Sequence, residues 1–136
     1  MSEPLIIDSA MPRHVFTFMP QFVPLVEGGQ KLHTVRGLRL REPRPGHIAS
    51  LREWTGRPYA SPQRIIGEHW IRDVQTIKFG SGRWIAINGE TLDPDEENHF
   101  ATSDGFSDRK SMWDFFRLRH GLPFTGHLIS WWPKGY

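Results

Sequence analysis

β-forming residues in this chain come in short runs, each cut by glycine or proline, and helix-forming segments are inserted between some runs and not others. His14 to Phe18 is one such run. His33 to Leu40 alternates, which in an extended chain puts Thr34, Arg36, Leu38 and Leu40 on one side and Val35 on the other. After a turn at Pro43 to Gly46, His47 to Leu51 resumes strand character, and residues 53–63 read as a loop. Arg64 to Phe79 is a long β-rich stretch carrying Ile65, Ile66, Trp70, Ile71, Val74 and Ile77, with a bend near Gly67 or an interruption expected. Gly80-Ser81-Gly82 turns it into a return strand, Trp84 to Asn88, and Asn88-Gly89 is a tight-turn pair. Phe124 to Trp132 is the last strand. A doubly wound parallel sheet needs strand and helix in regular alternation, which this order lacks. The pattern predicts an α+β fold: a small mixed or antiparallel β-barrel with two or three short helices.

The helices announce themselves by their ends. Pro20 to Glu27 suits a short helix, with Pro24 in the first turn and Gly28-Gly29 as a left-handed stop. Asp93-Pro94 opens an acidic helical segment through Ala101, since a capping carboxylate, a first-turn proline and acids at the positive helix end agree there. The last helix is expected to begin after a Ser107 cap, to bury Met112, Trp113, Phe115 and Phe116 while Lys110 and Arg117 face water, and to end at Gly121.

A chain of 136 residues is long enough for one core and short for two. The expected division is an N-terminal arm over residues 1–13 and one domain over 14–136. With no cysteine, disulfides and thiolate zinc sites are excluded, and the seven histidines show no His-x-x-x-His spacing. No metal and no cofactor are therefore expected. The absence of a leader pattern and of any bilayer-length apolar run points to a cytoplasmic chain with no membrane partner. A net charge of +2 is too small for tracking a long duplex, yet Arg36, Arg39, Arg41 and Arg44 bunch together, which suits a short RNA or one nucleotide. A monomer or weak homodimer is expected.

The octapeptide Gly29-Gln30-Lys31-Leu32-His33-Thr34-Val35-Arg36 resembles the Gly-x-Lys-x-x-Thr-x-Arg signature of the ASCH family, a branch of the PUA-like folds. His14 to Glu27 resembles the strand and helix that precede that signature. Pro45-Gly46-His47-Ile48 is similar to the family's Pro-Gly-turn strand, and Ala101 to Ser107 to its acid-Gly-Phe stretch, with the helix and terminal strand following in order. Four elements in the right order, over roughly residues 14–132, make chance a poor explanation. The resemblance implies a PUA-like β-barrel with a cleft. In some members that cleft hydrolyses the acyl amide of acylated cytidine nucleosides; others resemble RNA binders or nucleases. The working triad of the amidohydrolase members falls here on Lys31, Thr34 and Asp104.

These residue types make chemical sense together. Threonine is a weak nucleophile until a base takes its proton, and a desolvated lysine beside another cation, here Arg36, is one such base. Arg36 can also steady the oxyanion formed when an amide is attacked. Asp104 can protonate the leaving amine or activate water, provided burial raises its pKa. The amidohydrolase members carry glutamate where this chain has Asp104, and a reach shorter by about 1 Å costs on the order of a hundredfold in rate where geometry is tight, unless the backbone at Gly105 compensates. Each residue also has a plain structural reading: surface charges for Lys31 and Arg36, an ordinary strand residue for Thr34, a turn former for Asp104. Arg39 extends the basic face, and the loop aromatics Trp54 and Tyr59 are candidates for base stacking, the other tryptophans being expected mostly in the core. The rival readings are a noncatalytic RNA-binding module and a ribonuclease.

Overall fold

The computed structural model describes residues 11–135. Its elements are β1 (Arg13–Thr17), α1 (Val23–Glu27), β2 (His33–Gly37), β3 (Ile48–Trp54), β4 (Gln63–Phe79), β5 (Ile85–Ile87), β6 (Glu90–Thr91), α2 (Pro94–Ser103), α3 (Arg109–His120) and β7 (Phe124–Trp131). Most of the expected arm, residues 1–10, lies outside the described residues. Its end belongs to the sheet: β1 starts at Arg13, and the Pro12 carbonyl accepts from the Ile48 amide at 2.9 Å.

The fold is α+β, with a mixed seven-stranded sheet. Strand β4 organises it. Residues Gln63 to Trp70 pair with β3, and Ile71 to Phe79 pair with β7, whose other edge carries β2. Irregular register between Leu51 and Arg52 sits opposite Gly67, near the place where a bend or an interruption was expected, and a second irregularity follows at Ile71 to Asp73. β1 runs parallel to β3 at one end of the sheet, and β2 lies at another.

The sheet does not close on itself. Among the described residues no ladder joins β1 to β2; two arginine side chains occupy the gap. Arg36 Nη2 donates to the Thr17 carbonyl at 2.7 Å and Arg39 Nη1 to the Val15 carbonyl at 3.0 Å. Their guanidinium carbons sit 4.9 Å from the Phe18 ring centroid and 4.4 Å from that of Phe16, respectively. Side-chain donors thus satisfy edge carbonyls that a closed barrel would give to a neighbouring strand.

The core lies between the sheet and the helices. Phe79 stacks on Phe116 at 4.3 Å and meets Trp113 edge-on at 5.4 Å, joining β4 to α3. Burying rings and aliphatic side chains of this size stabilises by roughly 1.5–3 kcal/mol each.

Local details depart from the pattern in instructive ways. Asp108, not Ser107, caps α3: its extended backbone lets the carboxylate accept from the Ser111 amide at 2.8 Å, while the Ser107 hydroxyl meets that of Ser111. The loop after β3 is shorter than residues 53–63, because Glu53 and Trp54 still pair with Arg64 and Gln63 and an Arg64–Glu53 ion pair reinforces them. Trp84 is exposed rather than core, and it lies against Gly80, where any side chain would collide with the indole. Asn88 and Gly89 take positive φ, as a tight hairpin of this kind requires.

Candidate functional site

The site begins where α1 stops. Gly29 takes φ +79°, and the amides of Gln30 and Lys31 both donate to the Leu25 carbonyl at 3.0 Å, turning the chain inward. Lys31 is consequently buried, at 3% exposure. Its ammonium lies 2.6 Å from Asp104 Oδ1, 2.6 Å from the Asp104 carbonyl and 5.3 Å from the centroid of Phe22.

Asp104 is held by the end of α2. Its amide donates to the Phe100 carbonyl, Gly105 follows at φ +101°, and the Phe106 amide returns to the Ala101 carbonyl at 2.9 Å. This stop leaves the Asp104 carbonyl at the negative end of the helix, where a cation is favoured. Lys31 supplies it. His33, on β2, places Nδ1 2.9 Å from Asp104 Oδ1, while Nε2 meets Ser103 Oγ at 3.1 Å and the ring stacks on Phe100.

Thr34 and Arg36 share a face of β2, as alternation requires. Arg36 Nε donates to Thr34 Oγ1 at 3.0 Å. Lys31, Thr34, Arg36 and Asp104 all line one cavity of about 150 Å³, walled by Phe18, Phe22, Phe106, Phe115 and Phe116 and flanked by Arg119 and His120. A space of that size takes a single small ring.

The electrostatics follow from burial and charge. Burial lowers the Lys31 pKa, with Arg36 adding to the effect, and the neighbouring Asp104 only partly opposes this. Arg36 is brought down to about 10, first by burial, then by Arg39 and Arg119. For Asp104, burial acts upward and is the largest single influence, but Lys31 and His33 together outweigh it, so the carboxyl is held below its ordinary value. The condition for Asp104 as a proton donor, a raised pKa, is therefore not met. It is a carboxylate that holds an ammonium.

The remaining expected site residues lie outside the cavity wall. Arg39 spends itself on β1. Trp54 and Tyr59 form a tilted pair, centroids 5.1 Å apart, at the far end of β3, with Tyr59 at φ +62° and 90% exposed. Sequence reasoning overlooked His33 as a contact of Asp104, and Arg119 and His120 as neighbours of the ligand space. A signal existed: Arg119 and His120 stand four residues after Phe115 and Phe116, hence on the same helix face. Among the described residues no cluster of three or more His, Asp or Glu side chains is arranged to hold a metal, and no helix is long and apolar enough to cross a membrane.

Compared with protein-family models, with curated proteins and with solved structures, the chain gives no match.

Proposed function

We propose that this chain is an ASCH domain with a partly open PUA-like barrel, cytoplasmic and monomeric or weakly dimeric, whose cavity takes the base of a nucleoside or of a short RNA. One observation carries the reading: Lys31, Thr34 and Arg36 of the signature octapeptide and Asp104 of the distant acid-Gly-Phe stretch line a single ring-sized cavity. At about 150 Å³ it is smaller than the roughly 300–1,000 Å³ typical of sites enclosing a whole drug-sized ligand. A base fits inside and its sugar stays at the mouth. Trp54 and Tyr59 lie outside, as stacking surfaces for a neighbouring base.

Within this reading the chain hydrolyses the acyl amide of acylated cytidine. Lys31, in the neutral form that burial and Arg36 bring within easier reach, takes the Thr34 proton as Oγ1 attacks the acyl carbon. Arg36 steadies the oxyanion. The Lys31 ammonium, gripped by Asp104, returns the proton to the departing cytidine amine, and water then cleaves the acyl-threonine ester. Asp104 thereby acts as the anchor of the base, a task its shorter side chain accomplishes through direct contact with Lys31.

Incubation with N-acylated cytidine tests this. Wild type should release free cytidine and Lys31→Ala should not; equal turnover by both rejects the amidase. A second reading, a noncatalytic RNA-binding module, is favoured by the pairing of exposed Tyr59 with half-buried Trp54, and it predicts an RNA affinity that falls steeply with salt. The ribonuclease reading predicts instead that RNA is cut.

A further inference from the structure

Charges around the cavity do not balance. Among the described residues Asp104 is the one carboxylate on its wall, and Lys31 already grips it. Arg36 and Arg119 face the same space. Among the described residues neither has a carboxylate in ion-pair contact: Arg36 gives Nε to Thr34 Oγ1 and Nη2 to the Thr17 carbonyl, both neutral oxygens, and Arg119 lies 5.4 Å from the centroid of the Phe115 ring. Arg119 comes from the last turn of α3, whose negative end favours cations and also carries Arg117 and His120. Arg39 adds a further positive charge near Arg36, with its donor on the Val15 carbonyl.

Like charges facing one another across a space with low-dielectric walls repel, and an anion entering between them relieves that repulsion. Guanidinium forks match phosphate oxygens in pairs. Both arginines also lie against aromatic faces, Arg36 on Phe18 and Arg119 on Phe115, which orients their planes and reduces what must be ordered when a ligand binds. We propose that Arg36 and Arg119 form a phosphate subsite at the cavity mouth, and that the ligand is a phosphate-bearing nucleotide, free or within RNA, rather than a free nucleoside. This rests on the base-binding reading above. His120, on the same turn, is held below its usual pKa chiefly by burial, then by Arg119 and Arg36. Arg119 is a binding residue that no sequence motif marked.

Two measurements separate this subsite from the base site. In the first, thermal unfolding is compared in inorganic phosphate and in chloride at equal ionic strength. Phosphate should raise the wild-type midpoint more than that of Arg119→Gln, with Arg119→Lys retaining part of the gain and Arg117→Gln, on the same turn but paired with Asp114, retaining all of it. In the second, calorimetry compares cytidine, CMP and the dinucleotide CpC. CMP or CpC should bind about tenfold tighter than cytidine or better, and Arg119→Gln should shrink that ratio; CMP reports a terminal phosphate and CpC a diester. Phosphate protection without any nucleoside affinity upholds the subsite and refutes the base-binding reading. Equal affinity for all three ligands, with no phosphate protection, overturns the subsite and leaves the base site standing.

Discussion

Lys31 grips Asp104 at two points, its ammonium lying 2.6 Å from the carboxylate Oδ1 and 2.6 Å from the main-chain carbonyl of the same residue. The side-chain contact joins two buried charges, and the main-chain contact ties the segment between α1 and β2 to the end of α2. The pair is therefore a structural clasp as well as the centre of the cavity.

Removing one member leaves the other buried without its counter-charge. Asp104→Asn and Lys31→Met should each cost roughly 3–5 kcal/mol of stability. The double variant should lose clearly less than the sum, since it leaves no orphaned charge. Urea unfolding of the four proteins measures the coupling, and simple additivity would show that the two charges do not stabilise one another.

Acid should weaken the fold in two stages. His14 is buried, its Nε2 is 2.9 Å from His47 Nδ1, and its pKa is lowered from 6.5 to about 4, by burial first and then by His47, Arg39 and Arg41. The unfolded chain takes up a proton at this position below pH 6.5 that the folded chain refuses, so stability declines between about 6.5 and 4. Asp104 contributes in the opposite way chemically, with the same outcome. Its folded pKa lies below the ordinary 3.8, so its contribution is present above that value and is lost on further acidification. His14→Gln should flatten the first stage and leave the second, as read from urea midpoints at pH 7, 5 and 3.5. An unchanged slope between pH 7 and 5 would assign the first stage to other groups.

Gly126 sits opposite Gly37 where β7 pairs with β2. A methyl group there would press into the Arg36 main-chain carbonyl and come within 2.8 Å of the Phe124 ring. Gly126→Ala should cost about 1–3 kcal/mol, the usual range for overpacking, and should displace the strand that carries Thr34 and Arg36. Gly37→Ala meets open space and should be nearly neutral. Thermal unfolding of both variants decides it; equal midpoints would mean that β2 yields without consequence.

Much of the fold was legible because its signals are local. The Asp93 cap, the Gly28-Gly29 stop, the Asn88-Gly89 turn and the final strand each depend on a few adjacent residues, and each lies where its pattern put it. The Ser107 cap was misread by one position, since two adjacent residues can both cap and only the backbone angle of Asp108 selects one. Trp84 stays outside the core expected to hold most of the tryptophans, because it covers Gly80 at the hairpin tip instead. Closure of the barrel was beyond local reading altogether, since it depends on whether distant strand edges meet.

The sequence by itself determined where the chain turns, which face of α3 is apolar, and that Thr34 and Arg36 lie on one side of a strand, because periodicity and turn chemistry act over a few residues; it ran β2 on to Leu38 and Leu40, which lie past the strand's end and are exposed. Tertiary structure alone decided that Lys31 meets a carboxylate 73 positions away, that Arg39 serves the open seam instead of the cavity, and that Arg119 stands at its mouth. Such pairings depend on strand register and helix packing, in which one step of slip carries a side chain to the opposite face.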